Sequence, residues 1–182
     1  MGSVTILPRS RALTVEDLEL MPDDGHRYEL IDGTLVVTPA PSDPHQSSVG
    51  ELYVLLRAAC PSDLRVRLAP YDVTLAADTL VQPDVVVAAK SEITHRGLPA
   101  APRLAVEVLS PSTALIDLNL KKARYEQAGV ASYWVFDPVE LRLRAWDLAD
   151  GAYVEVADVS GDASWTSVLP YSVTVVPSRL VD

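Results

Sequence analysis

Residues 104–109 read Leu-Ala-Val-Glu-Val-Leu, an unbroken aliphatic run except for Glu107. Such a short apolar run has the form of a buried strand. An ionised carboxylate taken out of water without a partner costs several kcal/mol even after the protein relaxes around it. The chain must therefore bury this strand and also supply something that compensates Glu107. The segment that follows points to an α/β fold. A helix is expected over residues 114–128, closed by Gly129 as a left-handed cap, and a second apolar strand, YWVFD, comes after it. Strand, helix, strand in this order requires a crossover connection, whereas the hairpins elsewhere are antiparallel, so the sheet is expected to be mixed.

The rest of the chain supplies those hairpins. Residues 13–21 read as a short helix with Thr14 at its start. Residues 27–31 and 34–38 flank Asp32-Gly33, the dipeptide most suited to a two-residue hairpin turn. A helix over 45–59 carries Val49, Leu52, Leu56 and Ala59 on one face, and Pro61 ends it. Strands are expected at 65–69, 71–75 and 84–88. The β-rich remainder contains LRLRAWDL, AYVEVA and YSVTVV between turn residues. No repeat or long linker divides the 182 residues, so one domain over 1–182 is expected, with 1–12 as a flexible arm.

Charge narrows the function classes. A formal charge of -10 and a pI near 4.6 exclude generic polyanion binding, which needs a summed positive field, so any nucleic-acid contact must be local. The single Cys60 rules out an internal disulfide framework and fits a reducing compartment. No membrane-length apolar run and no signal-peptide pattern are present, and a cytoplasmic location is expected.

A second acid, Asp84, stands at the entrance to Val85-Val86-Val87, directly after Pro83. Alternation along the strand places Glu107 on the face of Ala105 and Leu109, and the small Ala105 leaves room for an ion or water. Two carboxylates and a nearby carbonyl are the oxygen donors a hard divalent cation such as magnesium takes. On the following helix, Leu118, Lys121, Tyr125 and Ala128 form one stripe, which turns Lys121 toward the sheet and Lys122 toward solvent.

Asp84 after Pro83, Glu107-x-Leu109 and a lysine on the next helix resemble the PD-(D/E)XK nuclease superfamily in the variant whose lysine has moved from strand to helix. YELIDG (28–33), P-x-P-x-x-x-H (39–45), QPDVVV (82–87), EVLSPST (107–113), D-x-x-x-K-x-x-x-Y (117–125) and AGV-x-x-YWV-x-DP (128–138) resemble the Uma-type restriction endonuclease family. The resemblance covers about residues 12–147. It implies a restriction-endonuclease-like core: a mixed sheet flanked by helices, with additional β-hairpins. It also implies an endonuclease that hydrolyses DNA with magnesium, for which manganese substitutes. Asp84 and Glu107 would be metal-binding acids, the Val108 carbonyl a backbone ligand, Lys121 the residue that orients the attacking water, and Glu29 an extra acid. His45 matches a recurring histidine of undefined role. Leu109 occupies the usual position of the lysine, so activity would depend on Lys121 reaching in from the helix.

Plainer readings of the same residues exist. Glu107 could form a structural ion pair with an arginine or Lys121, Lys121 an i,i+4 contact with Asp117, and Glu29 could be an ordinary polar strand residue. His45 could merely begin its helix. Three scattered histidines make no zinc site. Trp134, Trp146 and Trp165 suit the core or a subunit contact, and Lys122 and Arg124 a solvated helix face or a phosphate backbone. At the level of function, the alternatives are an inactive interaction module that keeps the nuclease fold, and a glycosidase using Asp84 and Glu107. The second lacks an aromatic-rich cleft, with aromatics at 6%, and leaves Lys121 without a role. Edge strands in the last third need covering, and restriction-like enzymes often cut as dimers, so a homo-oligomer is expected.

Overall fold

The computed structural model describes residues 11–22, 25–38, 40–111 and 114–181. Most of the expected N-terminal arm, Pro39, and Ser112 and Thr113 of the EVLSPST string lie outside the described residues.

The buried run becomes strand β7 (Leu104–Val108), all five residues of which are buried. It lies inside a six-stranded sheet of order β10-β9-β8-β7-β6-β3, built from β3 (Leu64–Leu68), β6 (Val85–Ala89), β8 (Ser132–Asp137), β9 (Arg142–Ala149) and β10 (Ala152–Ser160). Only β7 and β8 run parallel, with Leu104 opposite Ser132 and Val108 opposite Phe136. The expected crossover joins them, so the sheet is mixed. Helix α3 (Lys122–Ala128) ends on Gly129 at φ 81°, the left-handed conformation a glycine tolerates best. The residues before it, Ile116–Lys121, form a π-helical turn rather than the first half of one α-helix. Such turns are rare and concentrate at functional sites.

The two faces of β7 build two cores. Leu104, Val106 and Val108 join Val85, Val87 and the Val49-Leu52-Leu56 stripe of α2 (Asp43–Ala59). Ala105 faces the other way with Val86, Ala88 and Val135, against Tyr125 and Val130 and against Ile31, Val73 and Val81. Burying each large aliphatic side chain contributes about 1.5–3 kcal/mol, which holds these layers together.

Ile31, Val73 and Val81 belong to a second sheet of order β2-β1-β5-β4, from β1 (Arg27–Ile31), β2 (Thr34–Thr38), β4 (Val73–Ala76) and β5 (Thr79–Val81). The Asp32-Gly33 hairpin is as expected, with φ of 52° and 70° at its two turn residues. Strand β5 was not expected, because three residues are too few to show alternation. The YSVTVV segment retains only Thr174–Val175 as strand β12, paired with β11 (Trp165–Thr166). The expected N-terminal helix contracts to α1 (Val15–Leu18). No helix among the described residues is long and apolar enough to cross a membrane.

Candidate active site

The register of β6 against β7 pairs Val85 with Val106 and Val86 with Ala105. Asp84, one residue before β6, therefore stands opposite Glu107 and shares its face. The Val108 N–H donates to Asp84 Oδ2 at 2.9 Å, tying the two strands at that point. Asp84 accepts two further contacts, from Arg27 Nη1 to Oδ1 at 3.1 Å and from His45 Nε2 to Oδ2 at 3.2 Å. Arg27 also donates to the Gln82 carbonyl.

Lys121, at the end of the π-turn, reaches back to the same place. Its Nζ lies 2.9 Å from Glu29 Oε1, 3.1 Å from Glu107 Oε1 and 3.6 Å from Asp117 Oδ1. Glu29 is held in turn by the Gln82 N–H at 2.7 Å. The Tyr125 hydroxyl, one turn on from Lys121, donates to Glu107 Oε1 at 2.8 Å. Lys121 is 3% exposed and Glu29, Asp84, Glu107 and Asp117 are each 4% exposed or less, so these are buried charges and not a solvated surface network. They border a cavity of about 190 Å³ whose other walls include Thr38, Ser42, His45 and Ser110.

Burial and charge act unequally on the acids. Burial opposes ionisation of Asp84, yet the hydrogen bond from His45 and the positive charge of Arg27 outweigh it and hold the carboxyl below its ordinary value. Burial pushes Glu107 up to about 8, against the pull of Lys121 and reinforced by the negative charges of Asp117, Asp84 and Glu29. Burial also acts against the Lys121 ammonium, but Glu107, Glu29 and Asp117 raise it well above the ordinary lysine value. Lys121 thus stays charged while several carboxylates share it, and Glu107 is the acid that retains a proton near neutral pH. The cluster titrates as a unit.

The residues fit a hard divalent cation in charge and donor chemistry. Four carboxyl groups, Glu29, Asp84, Glu107 and Asp117, face two cations, Arg27 and Lys121, and once Glu107 gives up its proton the acids exceed the cations by two negative charges. Both bonds to Glu107 go to Oε1, and none among the described residues goes to Oε2. Yet no three His, Cys, Asp or Glu side chains among the described residues converge as a preformed metal cluster. The acids have closed instead onto Arg27 and Lys121. The contact between Glu107 and Lys121 that one plainer reading expects is therefore present at 3.1 Å, as is the i,i+4 contact of Lys121 with Asp117 at 3.6 Å.

All four side chains singled out in the sequence, Glu29, Asp84, Glu107 and Lys121, line this cavity, and Val108 does too. Arg27 and Asp117 line it as well, and Tyr125 adds its bond to Glu107; of the three, the sequence assigns only Asp117 a part, as a partner of Lys121. Arg27 shares the face of Glu29 by strand alternation, and Asp117 and Tyr125 flank Lys121 at i−4 and i+4, so their spacing carried the signal. His45 lies in the first turn of α2, which begins two residues earlier than expected, at Asp43, and it also reaches Asp84. Lys122 is half-buried, on the more exposed side than Lys121, and its cation also lies 4.4 Å over the Trp146 ring, meeting the π face. Arg124 pairs with Asp32. Trp134 is fully buried, with Trp165 edge-on at 5.2 Å.

Residues 15–176 match the profile of the Uma2 family, described as "Putative restriction endonuclease". Among solved structures the chain is similar to "a putative nuclease belonging to DUF820" from Anabaena variabilis ATCC 29413. The TM-score is 0.70 at 19% identity, covering 85% of this chain and 89% of that one, and this likeness is one of fold. No curated protein matches the chain.

Proposed function

The chain belongs to the Uma2 family, and from that membership and the geometry of the cavity we propose that it is a metal-dependent endonuclease hydrolysing DNA phosphodiester bonds. The observation that carries this reading is the meeting of separate segments at one cavity: Asp84 opposite Glu107 on paired strands, and Lys121 from the crossover 3.1 Å from Glu107. In this reading Asp84, Glu107 and the Val108 carbonyl hold magnesium, with manganese as a substitute. When bound, such an ion polarises a phosphoryl oxygen and lowers the pKa of water. Lys121 orients the attacking water and meets the negative charge that grows on the phosphate. Glu29 adds an acid beside them and, at 2.9 Å, holds the Lys121 ammonium in place.

The same proposal takes the chain as one cytoplasmic domain that assembles with copies of itself. Strand β10 ends the six-stranded sheet and exposes Val154 and Val156, which supports covering of that edge. A size-exclusion profile at the monomer mass would count against assembly.

A second reading, an inactive interaction module, is favoured by the engagement of both Asp84 oxygens by Arg27, His45 and the Val108 N–H. A cleavage assay separates the two. Duplex DNA should be cut with magnesium and spared with EDTA, and Glu107→Ala and Lys121→Ala should abolish cutting. Cleavage unaltered in both variants removes these residues from the mechanism, and no cleavage by the unaltered chain favours the module.

A further inference from the structure

Positive charge is scarce on this chain, which carries 15 Lys and Arg against 25 Asp and Glu. Exposed arginines elsewhere are mostly neutralised: Arg11, Arg96, Arg103 and Arg142 each pair with a carboxylate within 3 Å. Lys122 and Arg144 lie over the Trp146 ring instead, and one larger group of cations departs from this pattern. Arg57 near the end of α2, Arg65 and Arg67 on β3 and Lys90 after β6 border a cavity of about 290 Å³ together with Tyr53, and no carboxylate lines it. None of the four cations makes a salt bridge among the described residues. Among the described residues the Lys90 ammonium donates only to the Ser62 carbonyl, at 2.5 Å, and the Arg67 guanidinium only to its neighbour's carbonyl, at 3.3 Å. Like charges gathered without partners repel one another, and an anion placed among them removes that cost.

The position of this pocket indicates which anion. Helix α2 bears His45, beside Asp84, near its start and Arg57 near its end, ~18 Å apart along the axis. The β3–β6 register pairs Leu68 with Val85, next to Asp84, and Leu64 with Ala89, next to Lys90. Arg67 and Arg65 therefore step away from the acidic cavity toward Lys90 on the face that bears Asp84, while α2 with Arg57 covers the opposite face, so the pocket wraps the edge strand β3. A B-form strand carries one phosphate per ~3.4 Å of axis, so the span corresponds to about five phosphates.

We propose that the Arg57-Arg65-Arg67-Lys90 pocket is a docking point for the phosphate backbone of duplex DNA, several nucleotides from the bond presented at Lys121. The inference rests on the nuclease reading for its choice of anion. It reconciles a -10 chain with a polyanionic substrate, because the contact is local.

The test is fluorescence anisotropy of a short labelled duplex in EDTA across a range of salt. Each lost phosphate contact reduces the magnitude of the slope of log K against log salt by about 0.9. The combined variant Arg57→Gln, Arg65→Gln, Lys90→Gln should therefore flatten it by about 2–3. A control with the same change in charge, Arg96→Gln, Arg103→Gln, Arg142→Gln, should leave the slope unaltered. If the combined variant does not fold, its three single substitutions should each lower the slope by about 0.9. Equal slopes in the pocket variant and the unaltered chain, equal losses in both combined variants, or no binding by the unaltered chain overturn the proposal. Magnesium-dependent cleavage is followed in parallel. A changed slope without any cleavage upholds the docking point and overturns the nuclease reading, whereas an unchanged slope with Glu107-dependent cleavage does the reverse.

Discussion

The Val108 N–H and Asp84 Oδ2 are 2.9 Å apart, so an acid at the start of one strand is fastened to the backbone of the next, one residue beyond Glu107. This bond spans 24 residues of sequence and fixes the Asp84 carboxylate on a rigid element. Sites built on strands hold their groups more tightly than sites built on loops.

Asp84→Asn tests whether the charge or the hydrogen bond matters. The amide oxygen can still accept from Val108, but it no longer balances Arg27. Cleavage should fall by at least ~10²-fold while the fold survives with a loss of about 1–3 kcal/mol in urea titration. Retained cleavage would remove Asp84 from the site.

Lys121→Met should be costly for stability as well as activity. It takes from Glu29, Glu107 and Asp117 the cation they share and leaves Arg27 as the remaining positive charge of the site, and breaking a buried pair by removing one partner costs about 3–5 kcal/mol. Adding Glu29→Gln, whose carboxylate lies 2.9 Å from the lysine nitrogen, removes one of the stranded charges and should recover part of that stability. Additive losses in a double-mutant cycle would contradict the coupling between the two.

The Glu107 carboxyl, raised to about 8, has a signed consequence for stability. In the unfolded chain this group loses its proton near the ordinary value of 4.5, whereas in the folded chain it keeps the proton until about pH 8. Between those values the native state binds the extra proton, so stability falls as pH rises. The depressed Asp84 contributes below this window and the raised Lys121 above it. In EDTA, the thermal midpoint of the unaltered chain should decline from pH 5 to 8 relative to that of Glu107→Gln. Parallel profiles would refute the assignment.

Gly33→Ala probes the hairpin that carries Glu29. Gly33 has φ of 70°, and an added Cβ would come within 2.5 Å of the Ala12 Cβ and 3.1 Å of the Leu13 carbonyl. A destabilisation of about 1–3 kcal/mol is expected in urea titration. A neutral result would mean that the turn and the 12–13 segment adjust freely.

What could be read from the sequence was local. Asp32-Gly33 declared its turn through backbone conformations few other residues adopt, and Glu107 stood out as a carboxylate in an aliphatic run. Lys121 could be aimed because helical spacing grouped it with Leu118 and Tyr125. Non-local pairing was not legible. The Arg27–Asp84 bond joins residues 57 apart in the chain, and no periodicity announces it. Strand β5 escaped for a related reason: its pairing with β1 and β4 gives it strand form. The π-turn at Ile116–Lys121 was hidden because an ordinary α-helical stripe already accounted for the burial of Lys121.

The central claim is that Asp84 and Glu107 together hold a divalent cation. Its most direct test is anomalous X-ray scattering from a crystal soaked in millimolar manganese. The account expects a peak in the cavity about 2.0–2.3 Å from a carboxylate oxygen of each acid, with Lys121 drawn away from Glu107. No anomalous peak there at saturating manganese, with the Glu107–Lys121 pair intact, would contradict it.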